Sequence, residues 1–136
     1  MNRRSLREQV FKLLFRVEFI AKEEMEEQCH LFLEHEDVKT TEDEEIHIVD
    51  KYKAIHEKLE EIDALINEKA KGWSTDRMGK VDLTIIRLAV YEMKFDEAIP
   101  EGVAINEAVE LAKKFGQDES AGFVNGVLAK FVEAAQ

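Results

Sequence analysis

Residues 43–71 read DEEIHIVDKYKAIHEKLEEIDALINEKAK, and within them Ile48, Tyr52, Ile55, Leu59, Ile62 and Ile66 recur at steps of 4, 3, 4, 3 and 4. That spacing marks a narrow apolar stripe on one face of a helix with 3.6 residues per turn. It predicts one long helix over about 43–71. No stretch of the chain sustains the alternation of a strand, and no internal repeat is evident. Working towards the N-terminus, residues 37–45 (DVKTTEDEE) are polar and acidic and read as a loop, with Thr40 or Thr41 supplying the cap of the long helix. Before them, Met25, Cys29, Phe32 and Leu33 give an inward face to a helix over about 23–36. The first helix runs over about 5–21, with Leu6, Val10, Leu13, Leu14 and Val17 on one side. Ser5-Leu6-Arg7-Glu8 has the S-x-x-E form of a capping box, which places its start at Ser5.

On the C-terminal side, Gly72-Trp73-Ser74 ends the long helix. Ser74, Thr75 or Asp76 opens a short turn that Gly79 interrupts. A fourth helix over about 81–95 is unusually apolar (LTIIRLAVYEM) and should be the most buried element. The loop DEAIPEG (96–102) holds the only proline. A fifth helix, about 103–115, turns Ile105, Ala108, Val109 and Ala112 inward, and Gly116 suits a left-handed residue just past its end. Residues 117–120 cap a sixth helix over about 120–134, carrying Phe123, Val124, Val127, Leu128 and Phe131. Six amphipathic segments in 136 residues predict an all-α fold, taken as a single domain over 1–136.

Charge is distributed unevenly. The first sixteen residues, MNRRSLREQVFKLLFR, carry Arg3, Arg4, Arg7, Lys12 and Arg16 against Glu8 alone. That is +4 in a chain of net charge −11, so the other 120 residues carry −15. A helix start has a partial positive charge and prefers acids, so arginines there are misplaced for folding. They are well placed to meet an anion such as an RNA phosphate. The alternative is a solvated helix start whose arginines pair with the acidic body. The overall charge argues against non-specific binding to long duplex DNA, so any nucleic-acid site should be small and local.

The sequence offers no sign of catalysis. His30 and His35, five apart, fall on different faces of one helix, and His47 and His56 are nine apart on another. None forms H-E-x-x-H or pairs with cysteine at zinc spacing, so no metal site is expected. Cys29 lies on an apolar face and reads as core, and adjacent helical positions diverge too far for His30 to serve it as a base. No phosphate-binding glycine loop or nucleophile elbow is present. Neither enzyme activity nor a cofactor is expected. There is no leader and no apolar run near eighteen residues, and one cysteine fits a reducing compartment, so a cytoplasmic protein without membrane contact is expected.

Three segments in order, DLTIIRLAVYEM (82–93), VAINEAVELAKKFG (103–116) and FVNGVL (123–128), resemble the NusB family of bacterial transcription antitermination factors. RRSLREQVFKLLF at the N-terminus resembles that family's arginine-rich opening. The resemblance implies two three-helix bundles packed at a steep angle. It also implies binding to boxA, a short single-stranded RNA element of rRNA leaders, and pairing with the ribosomal protein NusE in the RNA polymerase antitermination complex. Arg3, Arg4 and Arg7 match the family's basic motif, and Phe123 matches an aromatic associated with RNA contact. A guanidinium pairs bidentately with phosphate and stacks on bases, and a phenyl ring stacks on a base. For Phe123 a place in the core is the other reading.

Lys113 and Lys114 are weaker RNA candidates, since cations also complement a helix C-terminus. Phe15 and Asp82 match positions where the family meets its protein partner; core packing and a helix-start acid are their plain alternatives. Asn106 and Asn125 read as buried hydrogen-bonding residues, and Trp73 as a packing anchor at the bundle junction. Two rival functions stand beside this one: a protein-interaction module whose arginines dock on an acidic surface, and a detached RNA-targeting domain of an rRNA-modifying enzyme. The chain has no room for a methyl-donor domain of its own.

Overall fold

The computed structural model describes residues 1–35 and 39–132. Among these residues it is all-α, with seven helices and no strand: α1 (Arg3–Phe15), α2 (Met25–His35), α3 (Glu42–Glu57), α4 (Leu59–Lys69), α5 (Lys80–Phe95), α6 (Glu101–Phe115) and α7 (Ser120–Ala129). Short 3₁₀ turns at Arg16–Glu18, Lys22–Glu24 and Thr75–Arg77 link them. The chain forms two compact units, Met1–His56 with α1 to α3 and Glu57–Gln136 with α4 to α7.

The long helix expected over 43–71 is two helices. It breaks at Lys58 (φ −98, ψ 6), a small departure from helical geometry. Ile48, Tyr52, Ile55, Ile62 and Ile66 are buried nonetheless, and Leu59, beside the break, is half-buried. No glycine or proline marks the break and the apolar spacing runs on through it, so periodicity does not register it. The acidic run ends as helix rather than loop: Glu42 to Glu45 form the first turn of α3, where acids complement the dipole. Residues 37 and 38 of that expected loop, and residue 36 at the end of the helix expected before it, lie outside the described residues.

The capping box belongs to Thr41, not Ser5. The Glu44 N–H donates to Thr41 Oγ1 at 3.2 Å, and the Thr41 N–H donates to Glu44 Oε1 at 2.8 Å. The Met1 amine pairs with the same carboxylate at 2.7 Å. This contact, with the Thr41 N–H, holds the Glu44 pKa below the usual carboxylate value. Helix α1 is capped by Asn2, whose Oδ1 accepts from the Ser5 N–H at 2.8 Å. Ser5 therefore lies inside the first turn, and α1 starts two residues earlier than its S-x-x-E motif suggests. It also stops at Phe15, and the chain tightens into a 3₁₀ turn through Val17, which is only half-buried, as is Leu33 in α2.

In the second unit α5 packs against α4, α6 and α7. Leu83, Ile85, Ile86, Leu88, Ala89 and Val90 are buried, which fills its circumference. Arg87 is tolerated there because Asp63 of α4 receives it bidentately, with Nε to Oδ1 at 2.8 Å and Nη2 to Oδ2 at 2.7 Å. Helix α6 is rotated from its expected face: Ala104, Ala108, Leu111 and Ala112 are buried, while Ile105 and Val109 are half-buried. Gly116 is extended (φ −94, ψ −169), not left-handed. Its role is steric, because a Cβ there would lie 2.5 Å from Ser120 Cβ and 2.8 Å from the Ala112 carbonyl oxygen. The left-handed glycine is Gly72 (φ +86), in the turn after α4. Helix α7 ends at Ala129 rather than about 134; Phe131 is buried just beyond it, and residues 133–136 lie outside the described residues.

Candidate nucleic-acid interface

In the first unit the cations divide by environment. Arg3 and Arg4 are exposed in the first turn of α1, a turn that contains no acid. They meet the positive end of the helix dipole, an arrangement that raises the local potential for an anion. Arg7 is only 8% exposed. It stands three residues before Val10 and seven before Leu14, on the apolar stripe itself, so its burial follows from periodicity. Arg16 braces α2: Nη1 donates to Gln28 Oε1 at 3.0 Å, and the guanidinium lies 5.1 Å from the Phe32 ring centroid. The structure thus singles out Arg3 and Arg4 as the outward pair of the basic opening.

Phe15, the last residue of α1, belongs to an aromatic ladder that continues past the helix end. Its ring is 6.2 Å from Phe11, which is buried, and 5.1 Å from Phe19 in an edge-to-face contact. Phe15 is half-buried, and Phe19 is 65% exposed. Sequence reasoning named Phe15 and missed Phe19. Phe11, Phe15 and Phe19 recur at steps of four, but α1 ends at Phe15 and Phe19 lies just past the 3₁₀ turn, which is what exposes its ring. Cys29 is buried, and burial raises its thiol pKa above the ordinary value, in keeping with a core residue.

In the second unit Asp82 is half-buried in the first turn of α5, where a carboxylate suits the dipole. Lys113 and Lys114 are exposed in the last turn of α6. Lys113 pairs with Glu110 at 3.4 Å, and Lys114 lies 5.5 Å from the Phe115 ring. Phe123 is half-buried on α7 and meets Trp73 edge to face, centroids 5.2 Å apart. Trp73 is not a buried anchor: it is 49% exposed. Asn106 and Asn125 are exposed too, and both line an open groove between α6 and α7. Each is two positions, about 200°, from a buried residue (Ala108 and Val127), which turns it outward. Among the described residues no group of three or more His, Cys, Asp or Glu could hold a metal ion, and no helix is long and apolar enough to cross a membrane.

The profile of the NusB family matches residues 4–133. The chain belongs to the NusB family. A transcription antitermination protein NusB of Agathobacter rectalis is 60% identical over 131 residues, 96% of this chain and 99% of that protein. The solved NusB of T. maritima superposes with a TM-score of 0.81 at 36% identity, covering 96% of this chain and 89% of that one. A further similar structure holds the antitermination factors NusB and NusE in complex with double-stranded RNA; the match has a TM-score of 0.77 at 27% identity and covers 93% and 92% of the two chains.

Proposed function

We propose that this NusB-family chain is a non-enzymatic antitermination factor of the cytoplasm. In this reading it acts as one domain over 1–136, binding boxA-type single-stranded RNA of rRNA leaders together with NusE, as part of the RNA polymerase antitermination complex. The observation that supports the reading is the likeness, over more than nine-tenths of both chains, to a chain of the complex of NusB and NusE with double-stranded RNA; the single-stranded boxA target rests on the resemblance to the family. Arg3 and Arg4 lead the RNA contact, because they are exposed at a helix start whose first turn holds no acid, where the helix dipole adds to their attraction for a phosphate. Phe123 supplies stacking, and Lys113 and Lys114 supply further charge. Arg7 holds its place in the motif from within the packing of α1. Phe15, extended by Phe19, and Asp82 meet the protein partner. Ribosomal proteins are basic, and the net charge of −11 favours fast association with one.

The test is fluorescence anisotropy of labelled boxA RNA with and without NusE. Wild type should bind in a salt-dependent manner, and unlabelled duplex RNA should compete less well than the single strand. Arg3→Ala with Arg4→Ala should weaken binding and shallow the slope of log affinity against log salt by about 1.4, at roughly 0.7 per phosphate on a single strand. Absence of binding with and without NusE, or unchanged affinity and slope in the double variant, would remove the phosphate contact and leave the protein-interaction module as the better reading.

A further inference from the structure

Trp73 is the one tryptophan of the chain, and it follows Gly72, whose left-handed conformation (φ +86) turns the backbone away from α4. The turn is tightly bonded. The Trp73 N–H donates to the Ala70 carbonyl at 2.8 Å, the Thr75 N–H to Asn67 Oδ1 at 2.8 Å, and the Arg77 N–H to the Ser74 carbonyl at 3.0 Å. A half-exposed indole on a closed turn is presented to solvent at little further cost in ordering. Phe123 meets it edge to face at 5.2 Å, and the Arg77 guanidinium stands 6.0 Å from its centroid. That is the outer limit of a cation–π contact, so Arg77 leaves the ring at small cost. A recess of about 270 Å³ beside the indole is lined by Asn67, Ser74 and Arg77 as well as by Trp73. The surrounding sequence, KAKGWSTDRMGK (69–80), carries four cations and one acid, a net +3 in a chain of −11. An exposed aromatic face, a loosely held guanidinium and local positive charge are the parts of a single-strand platform, where bases stack and cations track the backbone.

We propose that Trp73, with Phe123 at its edge and Arg77 above it, is a base-stacking platform: an unpaired RNA base lies on the exposed indole, and Arg77 moves to the neighbouring phosphate. The proposal rests on the RNA reading above and extends it from one half-buried ring to a site of three side chains. It also supplies a reason to prefer single strands, since the faces of duplex bases are already stacked and closed to Trp73.

Because Trp73 is the sole tryptophan, emission excited selectively from tryptophan reports this site without Tyr52 and Tyr91. The full chain is titrated with boxA-type single-stranded RNA while emission and the anisotropy of labelled RNA are followed together. Emission should be quenched with the same midpoint as the anisotropy change, and matched duplex RNA should quench less. Trp73→Ala should weaken single-strand binding roughly 10- to 100-fold, with an unchanged salt slope, and Trp73→Phe should recover most of the affinity. Arg77→Gln should keep the quench and shallow the slope by about 0.7. If RNA binds in an Arg3- and Arg4-dependent manner while emission stays constant and Trp73→Phe and Trp73→Ala bind like wild type, the platform is wrong and the RNA reading stands. If no RNA binds at all, the RNA reading itself has failed. Should Trp73→Ala unfold, the wild-type emission and Trp73→Phe decide.

Discussion

Helices α1 and α5 both bury apolar stripes, yet their charges follow opposite rules. In α5, Asp82 occupies the first turn and Lys94 the last, and Arg87, the charge facing inward to α4, is received by Asp63 at 2.7–2.8 Å. Those three choices agree with folding, although Lys80 shares the first turn with Asp82. In α1 the first turn holds Arg3, Arg4 and no acid, and a phenylalanine ladder leads outward to Phe19, 65% exposed. Those choices oppose folding locally, and departures of this kind collect where a surface has work other than stability. The comparison sets the scaffold of the second unit against the proposed RNA-contact edge of the first, and variants in each helix can break it.

The largest effect belongs to α5. Ile86 is fully buried, and Ile86→Ala should destabilise by roughly 2–5 kcal/mol in chemical denaturation, the range of large-to-small core changes. A loss below about 0.5 kcal/mol would make α5 peripheral and end its status as scaffold. Next comes Gly116, where the α6–α7 connection leaves no room for a methyl group beside Ser120 and the Ala112 carbonyl. The Ala112 oxygen is helix backbone and the Ser120 Cβ is bonded directly to the backbone of α7, so neither is the far end of a flexible side chain. Gly116→Ala should therefore cost about 1–3 kcal/mol, the range for overpacking. Its φ of −94 is open to alanine, so a neutral result would show that the contact relaxes and that the close approach is not what requires glycine.

What could be read from sequence follows the same division. The second unit is punctuated by Gly79, Pro100 and Ser120 at helix starts, and α5, α6 and the start of α7 fall within two residues of their expected bounds. The break at Lys58 was illegible, because no glycine or proline marks it and the stripe continues across it. Asn106 and Asn125 were misread for a different reason: their sequence neighbours are apolar, but their helical neighbours two positions away point the other way. The burial of Arg7 follows from its place on the apolar stripe, whereas the exposure of Phe19 depends on α1 ending at Phe15. The exposure of Trp73 was not legible at all, since it depends on the turn at Gly72 and on Phe123, fifty residues further along the chain.

The smallest effect tests the comparison most directly. If α1 gives up stability for an anion contact, Arg3→Glu should stabilise the free protein. It removes a cation from the positive end of the helix and puts in its place the charge that end prefers, each change amounting to about 0.3–1 kcal/mol at low salt. Surface charge effects are screened, so the gain should shrink towards zero near 1 M salt, where the Debye length is about 3 Å. RNA affinity should fall in the same variant, because a phosphate now faces a carboxylate. Opposite movements of stability and RNA binding, with the stability gain alone vanishing in salt, are the signature of a residue kept for its ligand. A stability loss that persists in salt would mean that Arg3 is held by packing, and α1 would then join α5 as scaffold.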